Sequence, residues 1–403
     1  MSGTSSDPRI AGARAAPKRG IRLSWSDPLF RSIIWQIVIV GIVVGIGWYL
    51  VHNTMQNLAA RRIATGFDFL DRVAGIPIGE SMIAYDSSVH TYGRALVIGV
   101  LNTLQVSVVG IILATVIGTL IGIGRLSTNW LLARLTAFYV EVIRDIPLLL
   151  QLLFWYTMLQ GLPGPRQAWS IGDVAFLSNR GIKVPLLHWE TAYGFALLGL
   201  AAGVAATIWW SRRASRTQEQ TGVRPPVWPV AIGGMVVLPL AIWALLGAPL
   251  ALDVPALRGF NFQGGGTISP EFSALLIGLV TYTAGFIAEI VRSGIQAVPN
   301  GQWEAARALG LRHGVILRQI ILPQALRVII PPMTSQYLNL TKNSSLAVAI
   351  GFQDVVSIAN TTLNQTGQAI EVIAIIMAVY LTISLSISLF MNWYNARIAL
   401  VER

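Results

Sequence analysis

A lysine, Lys342, lies inside a long apolar stretch of the chain, where a charged side chain is unusual. An ammonium group that faces lipid costs about 2.5 to 3.5 kcal/mol, whereas one that faces a water-filled pathway keeps its hydration and can attract a carboxylate. Polar neighbours favour the pathway; they are Asn339, Thr341, Asn343, Ser344 and Ser345. The four-carbon stem could equally carry the ammonium group to the lipid headgroups, so both interpretations stay open.

Side chains that usually act as general bases, nucleophiles or metal ligands are few. The four histidines map outside the hydrocarbon core in the predicted topology, in which the core of the first span ends at residue 51, and the sequence contains neither H-E-x-x-H nor G-x-S-x-G. Cysteine is absent, which excludes thiolate catalysis, disulfides and cysteine-ligated metals. The sequence therefore predicts no catalytic residue, no metal site and no cofactor.

The lysines of the chain cannot complete a P-loop for ATP. That motif, G-x-x-x-x-G-K-[ST], needs a lysine directly after a glycine as the partner of the phosphates. The three lysines, Lys18, Lys183 and Lys342, follow proline, isoleucine and threonine. A function that requires ATP hydrolysis must therefore obtain it from a separate polypeptide.

The composition indicates an all-helical, polytopic membrane protein. Of the 403 residues, 54% are hydrophobic and 12% are charged, against about 25% charged in soluble domains. A span needs roughly 20 apolar residues. Eight spans are predicted: five long ones (32–60, 95–124, 191–211, 225–252 and 372–396) and three shorter or interrupted ones (146–165 after a lead-in helix from about Leu135, 272–288 and 328–341).

The positions of the basic residues predict the orientation of these spans. The net charge of +11 is scattered over short loops and forms no single basic face, so a nucleic-acid partner is not predicted. With the basic N-terminal segment placed in the cytoplasm, cytoplasmic segments hold 20 of the 29 Lys and Arg. This bias agrees with the positive-inside rule and predicts that both termini are cytoplasmic.

The cytoplasmic stretch 304–323, EAARALGLRHGVILRQIILP, predicts a short helix with one face almost bare of side-chain bulk. Ala306 and Gly310 are four residues apart on that face, and Ala305 and Leu309 lie on the adjoining row. We therefore expect that another protein can approach this face closely.

The same stretch carries signals for where its helices begin and end. Glu304 can pair with Arg307 three residues later, and Gly310 suits a helix C-terminus. A second short helix should follow from His313, and Pro323 suits the first turn of the next span, where a missing N–H costs nothing. We predict a helix, a turn, a helix and then the membrane.

The spacing within this stretch resembles the cytoplasmic-loop signature of permease subunits in binding-protein-dependent ATP-binding-cassette importers. The matching positions are Glu304, Ala305, Ala306, Gly310, Ile320, Leu322 and Pro323. Three more segments resemble the polar amino-acid (histidine/glutamate/glutamine) branch of these permeases: FYVEVIRDIPLLLQLLFWY, YTAGFIAEIVRSGIQAVPNGQWEAA and IPPMTSQYLNLTKNSSLAVAIG. In length and insert, the chain is most similar to the larger permease subunit of general L-amino-acid importers.

The resemblance implies a type I ABC importer permease fold in the bacterial inner membrane, forming half of a pathway for L-amino acids and not itself an enzyme. The implied partners are a second homologous permease subunit, a cytoplasmic ABC ATPase dimer, a periplasmic amino-acid-binding protein and the lipid bilayer. The coupling helix that contacts the ATPase would include Glu304, Ala305, Ala306, Arg307, Gly310 and Leu311. Closure of the ATPase would push on this helix and reorient the spans.

The resemblance covers a five-span core that is divided into two segments, and an insert between them adds two spans. Because two is an even number, the insert leaves the orientation of the core unchanged. The predicted regions are a cytoplasmic tail 1–32, a first span 33–51, a periplasmic segment 52–94, an N-terminal permease core segment 95–162, the insert 163–270, a C-terminal permease core segment 271–396 with the coupling loop 292–322, and a cytoplasmic tail 397–403.

Two further groups of residues are candidates for function. The substrate pathway is predicted to include Asn339, Lys342, Asn343, Ser344, Tyr282 and Thr283. Glu141, Arg144 and Asp145 lie where the third span meets the cytoplasmic face, either within an inner gate or as a structural ion pair between Glu141 and Arg144.

Two other functions stay open at the level of the sequence. An ion-coupled secondary carrier would need an acidic residue within a span, and Glu289 is the best candidate. A membrane scaffold or receptor that kept the fold and lost transport would carry the same loop signature.

Overall fold

The computed structural model describes residues 28–60, 65–250 and 252–398. Most of the predicted tails, 1–32 and 397–403, therefore lies outside the described residues. The chain divides into two compact units, Met1–Gly66 and Phe67–Arg403. The described residues of the first unit are dominated by one long helix, and the second unit contains all the other helices and the strands.

The described residues form thirteen α-helices. They are α1 Pro28–Ala60, α2 Tyr92–Gly124, α3 Trp130–Asp145, α4 Leu148–Gln160, α5 Thr191–Thr221, α6 Trp228–Ile232, α7 Leu238–Leu245, α8 Pro270–Gln296, α9 Asn300–Ala308, α10 His313–Val315, α11 Leu322–Asn343, α12 Val355–Thr366 and α13 Ala369–Ile398. A π-helical turn, Gly233–Val237, joins α6 to α7, and a second, Ile316–Ile321, joins α10 to α11. A 3₁₀ segment, Ser344–Ile350, extends α11.

Seven of these helical segments are long and apolar enough to cross a membrane. They are Phe30–Asn57, Tyr92–Gly124, Thr191–Thr221, Trp228–Leu245, Pro270–Gln296, His313–Ile350 and Ala369–Arg397. Each coincides with a predicted span, so the polytopic helical fold is confirmed. The count of eight is not confirmed, because the third predicted span corresponds to α4, whose 13 residues extend about 20 Å, short of a core roughly 30 Å thick.

The break between α3 and α4 occurs at Pro147, where the side chain of Gln151 replaces lost helical hydrogen bonds. Its amide Nε2 donates to the carbonyl oxygens of Ile143, at 2.9 Å, and Ile146, at 3.0 Å. An unsatisfied carbonyl in an apolar region would cost several kcal/mol. Gln151 therefore allows the apolar segment to change direction.

The core of the second unit forms around α8, which packs against α2, α3, α4 and α11. Two glycines of α2 allow its close approach. A Cβ atom on Gly118 would lie 2.7 Å from Cβ of Ile287, and one on Gly122 would lie 2.7 Å from the carbonyl oxygen of Ala288. The spacing of Gly118 and Gly122, four residues apart, therefore serves packing within the chain.

Helices α5 and α6–α7 of the insert form their own antiparallel pair. The backbone of Gly234, in the π-helical turn, lies directly against Gly203 of α5. The hydroxyl of Tyr193 and the indole Nε1 of Trp243 both donate to the carbonyl of Pro249, at 2.7 and 3.1 Å. These bonds fasten the first turn of α5 to the segment that follows α7.

The described residues of the insert also form eight short strands, which the sequence had not predicted. They are β1 Trp169–Ile171, β2 Ala175–Ser178, β3 Gly181–Val184, β4 Leu186–Leu187, β5 Leu252–Asp253, β6 Ala256–Arg258, β7 Asn261–Gln263 and β8 Gly266–Ile268. The antiparallel order β1-β2-β3-β8 joins the two ends of the insert, and β4-β5 and β6-β7 form separate pairs. At two to four residues each, the strands are too short to show a periodic pattern.

Replacing Gly118 by alanine should destabilise the core, because the new Cβ would meet Ile287 at 2.7 Å and the carbonyl of Ala284 at 2.9 Å. Overpacking of this kind costs about 1–3 kcal/mol. We expect Gly118→Ala to lower the melting temperature of the detergent-purified protein by several degrees. Gly233→Ala is the matched control, because nothing lies within 4 Å of its Cβ position; equal melting temperatures for the two variants would contradict the packing.

Candidate functional site

Helix α9 is anchored to the bundle by one of its faces. It begins shortly after α8 ends, and Val298 and Ala306 are buried with Ile316 and Ile321. Trp303 stacks on His313, with 5.9 Å between the ring centroids. A displacement of α9 must therefore be passed to the end of α8 and the start of the α10–α11 helix.

The opposite face of α9 is accessible, and it differs from the face that the sequence had predicted. Ala306 is only 2% exposed, so its placement on an open face is wrong. The exposed residues are Glu304, Ala305, Arg307, Ala308 and Leu309. Ala305 and Ala308 supply the small side chains, while Leu309 is 76% exposed and projects from the end of the helix.

Gly310 ends α9 as predicted. Its φ of 71° lies in the left-handed region, which favours glycine, and its N–H donates to the carbonyl of Arg307 at 2.9 Å. The N–H of Leu311 donates to the carbonyl of Ala306 at 3.3 Å. The predicted pairing of Glu304 with Arg307 is absent among the ion pairs of the described residues.

After the turn, α10, a π-helical turn and α11 follow one another without interruption from His313. Pro323 lies in the first turn of α11, as predicted. The predicted helix from His313 is therefore present as α10, and the π-helical turn continues it directly into α11.

An ion-pair cluster joins α2 to α8 near the α9 end of the bundle. The Glu289 carboxylate pairs with Arg125, just after α2, and with Arg292, one turn later on α8. Arg292 also donates to Oε1 of Gln296 at 2.5 Å. All three charged side chains are less than a third exposed. The acid that a secondary carrier would need is therefore engaged by two guanidinium groups.

The predicted cluster Glu141, Arg144 and Asp145 lies at the end of α3, and all three residues are exposed. The predicted ion pair between Glu141 and Arg144 does not occur among the described residues. Instead, the guanidinium carbon of Arg144 lies 4.9 Å from the ring centroid of Phe286 on α8. A cation–π contact therefore positions Arg144.

Helix α11 carries a polar exposed stripe that is unusual for a membrane span. The exposed residues at helical spacing are Val328, Pro331, Ser335, Asn339 and Lys342, of which the last three are polar. The equivalent exposed stripe of α13 is apolar throughout: Ile373, Met377, Leu381 and Leu385. A polar stripe that faced lipid would be unfavourable, so the stripe of α11 fits contact with water or another protein.

The other predicted pathway residues are distributed differently. Asn343 is half-buried, and Ser344 is fully buried and donates to the carbonyl of Thr341 at 2.7 Å. Thr283 is 3% exposed, and Tyr282 is half-buried against Phe286. Ser344 and Thr283 therefore do not belong to the exposed stripe of this chain, because they face the packed core.

A cavity of about 620 Å³ opens at the end of the bundle opposite α9. No motif in the sequence had indicated it. Its polar lining residues are Glu80, Ser81, Asn102, Gln105, Thr267, Ser269, Glu271 and Gln353. No lysine or arginine is among the described residues that line it, so the cavity suits a small polar molecule with an ammonium group.

Hydrogen bonds hold the rim of this cavity. Oε1 of Glu80 accepts the N–H of Ser269 at 2.6 Å, and burial raises the pKa of this carboxyl. The amide of Asn102 donates to the carbonyls of Glu80, at 3.0 Å, and Gln353, at 2.9 Å. The Gln353 side chain accepts the N–H of Gly79 at 2.7 Å. Contacts between residues far apart in sequence therefore form the rim.

Removing the charge of Glu289 should destabilise the junction of α2 and α8, because two guanidinium groups lose their carboxylate. For a partly exposed cluster we expect a cost of about 1–2 kcal/mol. Glu289→Gln should lower the melting temperature by a few degrees. Glu304→Gln is the matched control, since Glu304 is exposed and in no ion pair of the described residues; a similar melting temperature for both variants would contradict the role of the cluster.

Comparison with known proteins places these features in a family. Residues 107–400 match the family described as binding-protein-dependent transport system inner membrane component. The chain is 54% identical over 383 residues to the putative amino-acid ABC transporter permease protein YhdX of Escherichia coli K12, covering 94% of this chain and 97% of that protein. It is 51% identical over 385 residues to the general L-amino acid transport system permease protein AapQ of Rhizobium johnstonii, covering 95% and 96%.

A third relative also matches along its whole length. The glutamate/glutamine/aspartate/asparagine transport system permease protein BztB of Rhodobacter capsulatus is 44% identical over 432 residues, covering 98% of this chain and 100% of that protein. The matches therefore include the insert and are not confined to the five-span core. The chain belongs to the family of binding-protein-dependent transport system inner membrane components.

Proposed function

We propose that this chain is the permease subunit of an ATP-driven importer that receives L-amino acids from a soluble binding protein. The observation that carries the proposal is the match over almost the full length, insert included, to relatives named as amino-acid permeases. The cavity opposite α9 adds support, because its carboxylates and carboxamides suit the ammonium group of an amino acid.

The accessible face of α9 is the proposed contact with a separate cytoplasmic ATPase dimer. Small residues, Ala305 and Ala308, allow a close approach, and Leu309 offers an exposed apolar contact. The buried face transmits movement through Ala306 and Trp303 to α8 and α11. In this proposal the chain contributes part of the translocation pathway and the helix that transmits movement, and the partner hydrolyses ATP.

The polar stripe of α11 is the proposed contact with the translocation pathway and a second, homologous permease subunit. Lys342 is exposed in the single chain and would attract the substrate carboxylate, with Asn339 one turn before it. Asn343 and Tyr282 lie at the edges of this surface. One chain therefore supplies half of a pathway, and the second subunit closes it.

The α9 end of the bundle is proposed to face the cytoplasm, with both termini on that side of the inner membrane. The distribution of Lys and Arg supports this orientation, and the family description supports the inner membrane. Under this orientation the cavity and the strands of the insert face the periplasm.

The two alternative functions receive less support. For an ion-coupled carrier, Glu289 would have to titrate freely, yet it pairs with Arg125 and Arg292. No feature of the described residues supports a scaffold that has lost transport, and the full-length relatives are named as permeases. Measured uptake separates the scaffold from the importer.

Cysteine placed at position 305 should crosslink the chain to its ATPase, and cysteine at 306 should not. The native chain has no cysteine, so each variant carries one thiol. Ala305 is exposed, whereas Ala306 is 2% exposed and faces the core. We expect a short bifunctional reagent in intact membranes to give a product with a nucleotide-hydrolysing subunit for Ala305→Cys alone.

The neighbouring position makes the experiment decisive, because the two variants differ by one step along the helix. Equal crosslinking at 305 and 306 would indicate non-specific capture. The absence of any product at 305, 308 and 309 would contradict the proposed contact.

Replacing Lys342 by methionine should reduce amino-acid uptake in reconstituted vesicles. Loss of a charge-assisted contact to a carboxylate weakens binding by about 1.5–3 kcal/mol, so we expect kcat/KM to fall by roughly ten- to a hundredfold. Assembly should be unchanged, because removing a charge from a span does not disfavour insertion. Leu381→Met on the apolar stripe of α13 is the control; uptake at the wild-type rate in Lys342→Met would instead support an ammonium group that reaches the headgroups.

A further inference from the structure

Three turns of the insert bring two exposed arginines and an exposed aromatic ring together. Arg166 lies in a short 3₁₀ turn, Pro165–Gln167, before β1, Arg180 lies in the turn between β2 and β3, and Phe260 lies in the turn between β6 and β7. Phe260 is 73% exposed, and the guanidinium carbon of Arg166 lies 3.9 Å from its ring centroid. All three line a shallow cavity of about 340 Å³.

This surface is positively charged, and no acid is among the described residues that line it. The remaining lining residues are Gly164, Pro165, Gln167 and Asn179. A third arginine, Arg258, directly precedes the turn that carries Phe260. Two nearby acids of the insert do not neutralise these arginines. Asp253 accepts the N–H of Gly265 at 2.9 Å, and Asp173 lies in the turn at the end of β2 opposite to Arg180. We name Arg166, Arg180 and Phe260 the arginine–phenylalanine patch.

The patch is held firmly and lies close to the large cavity. Phe176 of β2 stacks on Phe262 of β7, with ring centroids 4.5 Å apart, and this contact fixes the β6-β7 hairpin to the sheet. Gly181, next to Arg180, packs directly on the backbone of Ile268 and Ser269. Ser269 itself lines the 620 Å³ cavity and donates its N–H to Glu80.

We propose that the arginine–phenylalanine patch docks an acidic surface of the soluble binding protein beside the cavity mouth, and this inference rests on the proposed import function. Arginines around an exposed aromatic ring are typical of residues that dominate binding energy at protein interfaces. Charge of one sign on the patch steers a partner of opposite charge and fixes its register. A donor protein seated here would release its amino acid next to the cavity.

A lipid phosphate could also meet the arginines, but the position of the patch favours a protein. The patch is built from strands and turns, and strands of the same region also expose apolar side chains, such as Trp169 and Ile171 of β1 and Leu257 of β6. Such a mixture of arginines and apolar or aromatic side chains is typical of protein interfaces. Lipid-binding basic clusters usually follow directly on a membrane helix. The exposed ring of Phe260 stacks under a guanidinium group, an arrangement that suits a flat protein surface.

The test uses the assembled transporter in lipid nanodiscs and measures ATPase stimulation against the concentration of loaded binding protein. The variants are Arg166→Glu/Arg180→Glu and Phe260→Ala, with Arg72→Glu, an exposed arginine before α2, as the matched control. We expect the double reversal to raise the half-saturating concentration roughly tenfold at low salt, with the maximal rate unchanged and the difference shrinking at high salt. Phe260→Ala should raise the half-saturating concentration severalfold at any salt concentration.

The possible failures are distinguishable. If wild-type protein shows no stimulation by any binding protein, the proposed function fails. If wild-type protein is stimulated and the patch variants match Arg72→Glu, the inference is overturned while the function stands. If the double reversal instead loses bound anionic lipid in native mass spectrometry, with an unchanged half-saturating concentration, the patch binds headgroups and the inference is overturned.

Discussion

The close packing of α8 against α2 is the constraint on which the rest of the structure depends. Gly118 and Gly122 bring the two backbones so near that a single methyl group would not fit, and Glu289 then joins the helix ends by charge. Because packed helices do not deform continuously, α8 moves together with its neighbours. This helix begins at the polar cavity and ends shortly before α9. One 27-residue rod therefore joins the proposed site of substrate entry to the proposed site of ATPase contact.

The second constraint is that the single chain is electrostatically incomplete. Helices α2 and α13 expose apolar stripes, as spans that face lipid must. Helix α11 instead presents Ser335, Asn339 and Lys342, and the described residues of the chain offer none of them a side-chain partner. A second subunit and a hydrated path between the subunits would satisfy them. The polar surface of α11, compared with the apolar surfaces of α2 and α13, therefore supports the proposal that one chain forms half of a translocation pathway.

Local features of the sequence predicted local structure well. The apolar runs located seven spans, Gly310 marked the end of α9, and Pro323 marked the first turn of α11. These results depend on hydropathy and on the conformational preferences of single residues, which act within a few positions.

Features that depend on contacts between distant residues were not predictable in the same way. Ala306 could be assigned to a bare face from its spacing, but which side of that helix meets the core is decided by Val298 and Ile316. Burial and partner choice are tertiary properties, and a single sequence does not encode them as a periodic pattern.

The insert adds surface to one end of the bundle and leaves the other end almost unchanged. Its two spans return the chain to the side from which it started, and the polar end of α5, 211–221, and the turn after it are the parts of the insert that lie toward the α9 end. The strands lie at the opposite end, where β8 leads directly into α8 through Ser269. A partner bound to these strands therefore acts on the first turn of the same helix whose last turn supports α9. The insert therefore extends the end of the bundle that carries the cavity without altering α9, the proposed ATPase contact.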